Sequence, residues 1–279
     1  MTVEITYDSA LIYDVGMHLG EDTEYYLKKG FRVIAFEANP RLVSLCKRKF
    51  VDQIASGQLT IVEGAIAPKH YGNRITFYMN SLSEWGTIEA AWNELNVKRG
   101  TSSKIIEVEK VDFYDILKRY GVPFFLKIDI EGADQYVLNA LAEFFLRPKY
   151  ISMESEKVEF RQLQDELRIL YELGYNKFRA VQQKTIPSSS IITRDIYGIR
   201  LEHTFPAHAS GPFGDDLLQP WLSYEQVLKT YRRIFLKYRL FGDTSILRYH
   251  MKGGGRLLSA AEWLTRRPLP GWYDTHACQ

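Results

Sequence analysis

The chain has 279 residues, of which 46% are hydrophobic and 25% are charged, and its formal net charge is +2. This length fits one large α/β domain with additions or two small domains, and the composition is typical of a soluble globular protein. The small net charge gives no electrostatic reason to expect nucleic acid or an anionic membrane as a partner. No apolar run reaches the roughly 18–20 residues that span a bilayer.

The N-terminal residues and the two cysteines indicate the cellular compartment of the protein. Residues 1–8 lack the basic start and the apolar core of a secretory signal. Cys46 and Cys278 lie far apart, and two such cysteines are typical of free thiols in a reducing environment. We therefore expect a cytoplasmic protein without a membrane or nucleic-acid partner, and the sequence is compatible with a homo-oligomer.

Residues 11–150 alternate between strand and helix patterns, which predicts a parallel sheet with helices on both faces. Strands are predicted at 11–15, 31–36, 58–62, 123–130 and 150–153, and helices at 21–29, 40–54, 112–120, 133–146 and 157–173. Two alternating stretches, 74–79 and 104–108, are predicted to pair as added or edge strands. Residues 177–183 are compatible with a further strand.

The pattern changes after Pro187. Residues 188–220 are rich in Gly, Pro and Ser and are interpreted as a long loop or lid. Apolar residues at helical spacing from Val227 to Tyr238 predict a surface helix, whose opposite face is basic and is interpreted as solvated rather than as a docking surface. Residues 271–277 predict a final strand that returns to the sheet.

The turn from Asp14 to Gly20 is the most informative feature of the sequence. An apolar strand ends in Asp14, and Gly16 and Gly20 follow before a helical pattern begins. Glycines permit a tight strand-to-helix turn and the close approach of a ligand. The second strand ends at Glu37, where an acidic side chain can accept hydrogen bonds from ribose hydroxyls. This layout predicts a nucleotide-type cofactor site, with an ordinary packing turn as the alternative.

The residue at position 18 distinguishes between cofactors. A dinucleotide site needs a glycine there so that the backbone can meet a pyrophosphate, whereas this chain has His18. S-adenosylmethionine (SAM) carries no phosphate and tolerates a side chain, and Asp14 suits its ammonium group. SAM is therefore favoured over NAD as the cofactor, and an NAD-dependent oxidoreductase is the weaker alternative.

Acidic residues follow two later strands. Asp129 lies at the end of a buried strand, and Glu154 lies at the end of the next one. Ligands of open α/β sheets bind outside such carboxyl ends, so Asp129 is expected to face the same crevice as Asp14 and Glu37. The two carboxylates could bind Mg²⁺ or position a substrate hydroxyl or amine; a metal is not favoured. Glu131 and Asp134 are interpreted as ligand-facing residues or as caps of the next helix.

A general base for transfer to a hydroxyl is sought among the histidines, because imidazole titrates near neutral pH. The candidates are His18, His203, His208 and His276, each of which has a structural role as its alternative. His276 is preferred because it lies on the predicted final strand. Neither a catalytic Ser-His-Asp or Cys-His motif nor a zinc-binding spacing is recognisable.

Three segments, 13–23, 35–40 and 127–134, resemble the FkbM family of SAM-dependent methyltransferases. The resemblance covers roughly residues 10–175. It implies the class I methyltransferase fold, a Rossmann-like α/β architecture with a seven-stranded sheet of six parallel strands and one antiparallel strand. It also implies methyl transfer, typically to oxygen, on small molecules such as sugars and natural products.

The resemblance further implies roles for individual residues. Asp14, Gly16 and Gly20 would line the amino-acid and ribose region of SAM, Glu37 would hold the ribose hydroxyls, Ala65 would lie near the adenine, and Asp129 near the transferred methyl group. The chain departs from the family at His18, where Asn is usual, and at Gly64, where a polar side chain often helps to fix adenine.

These inferences converge on a SAM-dependent O-methyltransferase acting on a small-molecule hydroxyl. Asp129, Glu154 and His276 are the predicted catalytic residues, and His18 joins the predicted cofactor site. Residues 1–187 would form the SAM-binding core, and 188–279 a lid, substrate-binding loop and helix with the returning strand in the same domain. A cofactor-binding scaffold without catalysis is the non-enzymatic alternative.

Overall fold

The structure is a computed structural model that describes residues 5–155, 159–241 and 272–279. Its first elements are β1 (Tyr7–Val15), α1 (Glu21–Lys28), β2 (Arg32–Glu37), α2 (Pro40–Lys49), α3 (Val51–Ala55), β3 (Leu59–Glu63), β4 (Ala65–Ile66), β5 (Arg74–Asn80), α4 (Ala90–Lys98) and β6 (Ser103–Val111). The remaining elements are α5 (Phe113–Tyr120), β7 (Val122–Ile128), α6 (Asp134–Ala142), β8 (Tyr150–Glu154), α7 (Phe160–Glu172), β9 (Lys177–Gln182), β10 (Ser190–Arg194), β11 (Arg200–Thr204), α8 (Tyr224–Phe241) and β12 (Tyr273–Cys278).

Seven strands form one sheet in the order β3-β2-β1-β7-β8-β12-β9. β1 pairs in parallel with β2 and with β7, and β2 pairs in parallel with β3. β12, the last strand of the chain, runs antiparallel to β9. This mostly parallel sheet with a late antiparallel strand confirms the predicted class I methyltransferase fold, including the returning final strand.

The chain divides into two compact units. The first comprises the described part of residues 1–151 together with 190–203, and the second comprises the described part of residues 152–189 and 204–279. The predicted organisation, a core of 1–187 with an addition in the same domain, stays a prediction.

The centre of the first unit consists of apolar strands. Residues 11–13 and Val15 of β1 have no exposed surface, as expected for a central parallel strand. The Tyr13 ring packs edge-on against Phe36 and Phe113, and its hydroxyl donates a hydrogen bond to the Gly121 carbonyl. The register pairs Val15 with Phe36 on one side and with Ile128 on the other, so the segments that follow these strands emerge at one edge.

A second, three-stranded sheet has the order β4-β6-β5. β5 and β6 pair antiparallel from Arg74 opposite Glu109 to Asn80 opposite Ser103, which confirms the predicted pairing of these strands. The Asp112 side chain accepts a hydrogen bond from the Tyr114 N–H and caps α5 as its sequence position indicates. Helix α4 was not predicted, since its apolar residues do not form a clear stripe.

Two predictions about local structure are wrong. The helix expected over 40–54 ends at Lys49, and a separate short helix begins at Val51. The segment expected to be a long loop contains the hairpin of β10 and β11. Asp195 Oδ1 accepts hydrogen bonds from the N–H groups of Tyr197 and Ile199, so this aspartate builds the tight turn that the composition obscured.

In the second unit, α8 has a buried apolar face and an exposed basic face, as predicted. Val227, Leu228 and Tyr231 are buried. The Tyr231 hydroxyl lies 2.7 Å from Ser155 Oγ and 2.6 Å from Thr275 Oγ1, a buried hydroxyl network. Within the described part of the chain, no helix is long and apolar enough to cross a membrane. Residues 242–271 of the predicted addition lie outside the described residues.

Candidate active site

The turn between β1 and α1 has a left-handed backbone at three positions. Gly16, His18 and Gly20 have φ of +90°, +52° and +74°. A Cβ atom on Gly20 would lie 2.5 Å from the Phe50 ring, and one on Gly16 would overlap the carbonyl oxygen of Asp129. Both glycines are therefore required by backbone conformation and by packing within the protein.

His18 is fixed at four atoms. Its N–H donates to Glu37 Oε2 at 2.9 Å, and its carbonyl accepts from the Cys46 thiol at 3.2 Å. Its ring bridges Glu21 Oε1 at 3.1 Å from Nδ1 and Ser83 Oγ at 2.7 Å from Nε2. Burial lowers the pKa of His18, but the bond to Glu21 and the surrounding carboxylates outweigh burial and leave the pKa raised.

Glu37 receives two backbone hydrogen bonds in the half-buried space at the end of β2. Oε2 accepts from the His18 N–H, and Oε1 accepts from the Asn39 N–H at 2.8 Å. Burial raises the pKa of Glu37 to about 7, although these N–H groups and His18 oppose the shift. Each oxygen keeps a second lone pair, so the fixed carboxylate can still accept hydroxyl groups.

Lys127 is a buried cation near the end of β7, and the sequence analysis did not assign it a role. Its Nζ lies 3.1 Å from the Gly16 carbonyl and 3.4, 3.5 and 3.5 Å from carboxylate oxygens of Asp14, Asp22 and Asp129. The sequence contained a signal for this cluster. A lysine within an apolar strand needs anionic partners, and the neighbouring strand carries an aspartate near its end.

The loop after β7 is held by residues that precede and begin α4. Thr87 Oγ1 donates to the Glu131 carbonyl at 2.8 Å, and Glu131 has a φ of +42°. The Trp92 indole occupies the space that a Cβ atom on Gly132 would need. Asp134 Oδ1 accepts from the Ile130 N–H at 3.2 Å, so this side chain stabilises the loop. The loop thereby presents Asp129, whose side chain is 44% exposed.

Comparison with known proteins decides the family. The profile described as the Methyltransferase FkbM domain matches residues 14–177. The chain belongs to the FkbM methyltransferase family. It is therefore a SAM-dependent methyltransferase.

Solved structures that resemble this FkbM protein are distant. A precorrin-6y C5,15-methyltransferase from Geobacter metallireducens GS-15 is 15% identical, with 72% of this chain and 78% of that chain covered and a TM-score of 0.35. A putative RNA methyltransferase from Pyrococcus horikoshii is 11% identical, with coverage of 66% and 65% and a TM-score of 0.35. A putative O-methyltransferase from Klebsiella pneumoniae is 10% identical, with 70% of each chain covered and a TM-score of 0.31. No curated protein matches the chain.

The residues of the FkbM protein at this edge fit SAM. The Glu37 carboxylate is fixed by two N–H groups and suits the predicted contact with ribose hydroxyls, and the Asp129 carboxylate is partly exposed. Asp14 has no exposed surface, and its Oδ2 is bonded to the Thr23 hydroxyl. Burial raises the pKa of Asp14 against the opposing effects of Lys127 and Thr23. Asp14 thus holds Lys127, and its predicted contact with the SAM ammonium group stays a prediction.

Ala65 lies in a small apolar cluster with Phe77 and Val108, against which Ala38 packs. Since Ala38 follows Glu37 directly, this cluster suits the adenine position predicted for Ala65. A Cβ atom on Gly64 would lie 2.5 Å from the Glu109 carbonyl oxygen. The family's polar side chain is absent here because the backbone of β6 leaves no room for it.

The structure places the remaining catalytic candidates in different environments. His276 pairs with Arg179 in the middle of the β12–β9 ladder and is 3% exposed. Burial, together with the Arg179 charge, lowers the pKa of His276 to about 3, which does not favour its predicted role as a base. Glu154 ends β8 and is half-buried, and its catalytic role stays a prediction. The His203 ring lies tilted against the Tyr25 ring, with 5.0 Å between the ring centroids, and burial lowers the pKa of His203.

Metal binding and cysteine pairing can be examined directly. Among the described residues, no group of three or more His, Cys, Asp or Glu side chains is arranged to hold a metal ion, so the magnesium alternative gains no support. Cys46 and Cys278 are both free, as predicted, and both are buried.

Proposed function

We propose that this chain transfers the methyl group of SAM to a hydroxyl oxygen of a small molecule such as a sugar or a natural product. The observation that carries the proposal is the partly exposed Asp129 carboxylate, which is held beside Lys127 at the end of β7 and against the Gly16 turn. A carboxylate in this position can orient a hydroxyl at the edge of the cofactor site.

Each residue has a distinct role in this proposal. Glu37 accepts hydrogen bonds from the ribose hydroxyls, the Gly16–Gly20 turn and His18 hold Glu37 in place, and the Ala65 cluster packs against the adenine. When bound, SAM supplies an electrophilic methyl group on a sulfonium. Asp129 accepts the hydrogen bond of the acceptor hydroxyl and would take its proton as the oxygen–carbon bond forms and the carbon–sulfur bond of SAM breaks, with S-adenosylhomocysteine as the leaving group. Lys127 keeps the Asp129 carboxylate oriented.

The charge of the crevice edge favours a neutral acceptor over a polyanion. The carboxyl groups of Glu21, Glu37 and Glu84 surround His18, and Asp129 presents a further carboxylate beside Lys127. A phosphate-rich acceptor such as nucleic acid would be repelled by these carboxylates, whereas a neutral polyol would be hydrogen-bonded by them.

The test is methyl transfer from isotope-labelled SAM to a panel of hydroxylated sugars and natural products, with RNA and amines as comparison acceptors. We expect label in a hydroxylated small molecule as an alkali-stable methyl ether. Asp129→Asn should lower kcat by about 100-fold or more, as for loss of a positioned acid–base group, with the SAM affinity changed less. Label only in RNA or in amines would contradict the proposal.

The same experiment separates catalysis from binding alone. Binding of SAM without release of S-adenosylhomocysteine in the presence of any acceptor would contradict methyl transfer to a hydroxyl.

A further inference from the structure

The side chain at position 18 has a feature that the family motif does not contain. In this chain the imidazole ring spans two elements, because Nδ1 contacts Glu21 at the start of α1 and Nε2 contacts Ser83 after β5. Ser83 lies 65 positions from His18 in sequence and also contacts Glu84. An asparagine side chain is shorter than histidine, and neither atom of its amide extends as far from the backbone as the imidazole Nε2 that contacts Ser83.

The ring contacts restrain an unfavourable backbone. A φ of +52° is disfavoured for residues other than glycine, and it persists where neighbouring groups hold it. With the ring held by Glu21 and Ser83 and the carbonyl held by the Cys46 thiol, the conformation of His18 is fixed.

This conformation has a direct consequence for the cofactor site. It points the His18 N–H at Glu37 Oε2, 2.9 Å away, and so fixes the carboxylate on the side opposite the Asn39 N–H. The orientation of Glu37 therefore depends on the His18 backbone, which in turn depends on the Ser83 hydroxyl.

We propose that Ser83 is a positioning residue for the cofactor, which acts through the His18 ring and backbone to orient Glu37 toward the ribose hydroxyls. This inference rests on the ribose-binding role of Glu37 proposed above. It adds a residue outside the three family segments to the cofactor site, and it explains why a histidine replaces the usual asparagine.

The test is a double-mutant cycle on binding of S-adenosylhomocysteine, measured by titration calorimetry without an acceptor. Ser83→Ala should raise the Kd about fivefold (~1 kcal/mol), as for loss of one hydrogen bond, and Ser83→Thr should restore the affinity. In a His18→Asn background the same serine substitution should leave the Kd unchanged, because the link is already broken.

Ser81→Ala is the matched control, since the Ser81 hydroxyl accepts a hydrogen bond from the Ser102 N–H in the segment that joins β5 and β6 and has no hydrogen bond to His18. A second control is the 2′,3′-dideoxy analogue of S-adenosylhomocysteine, which should bind the wild type and Ser83→Ala equally. The inference would be overturned if the effects of the Ser83 and His18 substitutions on the Kd were additive. It would also be overturned if Ser83→Ala lost as much affinity for the dideoxy analogue as for S-adenosylhomocysteine. Failure of methyl transfer to hydroxyls would leave these binding results unchanged, so the two proposals fail separately.

Discussion

The carbonyl oxygen of Asp129 occupies the space in which a Cβ atom of residue 16 would lie. The cofactor turn and the loop that presents the proposed catalytic carboxylate are therefore in direct backbone contact. Any side chain at Gly16 would push these two segments apart, so the glycine sets the geometry of both.

Gly16→Ala should destabilise the protein by about 2–4 kcal/mol, from a left-handed backbone and from overpacking together. Gly57→Ala is the matched control, because Gly57 has a φ of +75° and no atom within 4 Å of the Cβ position. Gly57→Ala should lower the free energy of unfolding only through its left-handed backbone, by about 1–2 kcal/mol. The measurement is urea denaturation of both variants, and equal losses would show that the Asp129 contact is unimportant.

Lys127→Met should lower the free energy of unfolding by about 3–5 kcal/mol, because it leaves Asp14 buried without the cation that compensates its charge. Lys47→Met is the comparison, since the Lys47–Glu63 pair is 3.0 Å long and about half exposed on both sides. An exposed pair of this kind contributes up to ~1 kcal/mol. Chemical denaturation compares the two variants. If Lys127→Met cost no more than Lys47→Met, the buried cluster would not be a stabilising centre.

SAM affinity should fall as the pH falls through 7. The pKa of Glu37 is raised to about 7 by burial, and its protonated form loses an acceptor for the ribose hydroxyls. If only the ionised form binds, about a tenth of the protein is competent one unit below the pKa, and the apparent Kd rises about tenfold. Calorimetric titrations at pH 6, 7 and 8 measure this effect. Glu37→Gln should bind SAM weakly, and its affinity should change little with pH. If the Kd of this variant changed with pH as much as that of the wild type, the pH dependence could not be assigned to Glu37.

His276 should make the protein sensitive to acid. Its pKa of about 3 in the folded state lies below the ordinary value of 6.5, so the unfolded chain binds more protons between these values. The contribution of neutral His276 to stability is therefore fully present above pH 6.5 and is lost as the pH falls toward 3. Between pH 6.5 and 5 the free energy of unfolding should fall by about 2 kcal/mol. Denaturation curves at these two pH values should show a smaller loss for His276→Gln than for the wild type. Equal losses would mean that His276 titrates normally and regains its candidacy as a base.

The sequence predicted the fold and the edge of the sheet at which the site lies, because both follow from local patterns. The apolar strand ending at Val15, the glycines after it and Glu37 at the end of the next strand are visible in a single pass. Contacts across long sequence separations were not visible. No local pattern links Ser83 to His18 or Trp92 to Gly132, and the contact of Asp14 with Lys127 joins two strands that are far apart in sequence.

The environment of His276 also depends on contacts that the sequence does not show. Its strand was predicted correctly, but the direction of that strand and its pairing with Arg179 depend on sheet topology, which places the imidazole within the ladder and away from solvent. The hairpin around Asp195 was missed for a different reason, since its short strands alternate over only five residues each.

The most direct measurement is a calorimetric titration of SAM into the wild type and into Glu37→Ala, with Glu109→Gln as the control for an exposed carboxylate paired with Arg74. We predict one site per chain in the wild type, an unchanged Kd in the control and a Kd at least about tenfold higher in Glu37→Ala, as expected for loss of charge-assisted hydrogen bonds. Equal affinities in all three proteins would contradict the placement of the cofactor at the Asp14–Gly20 turn.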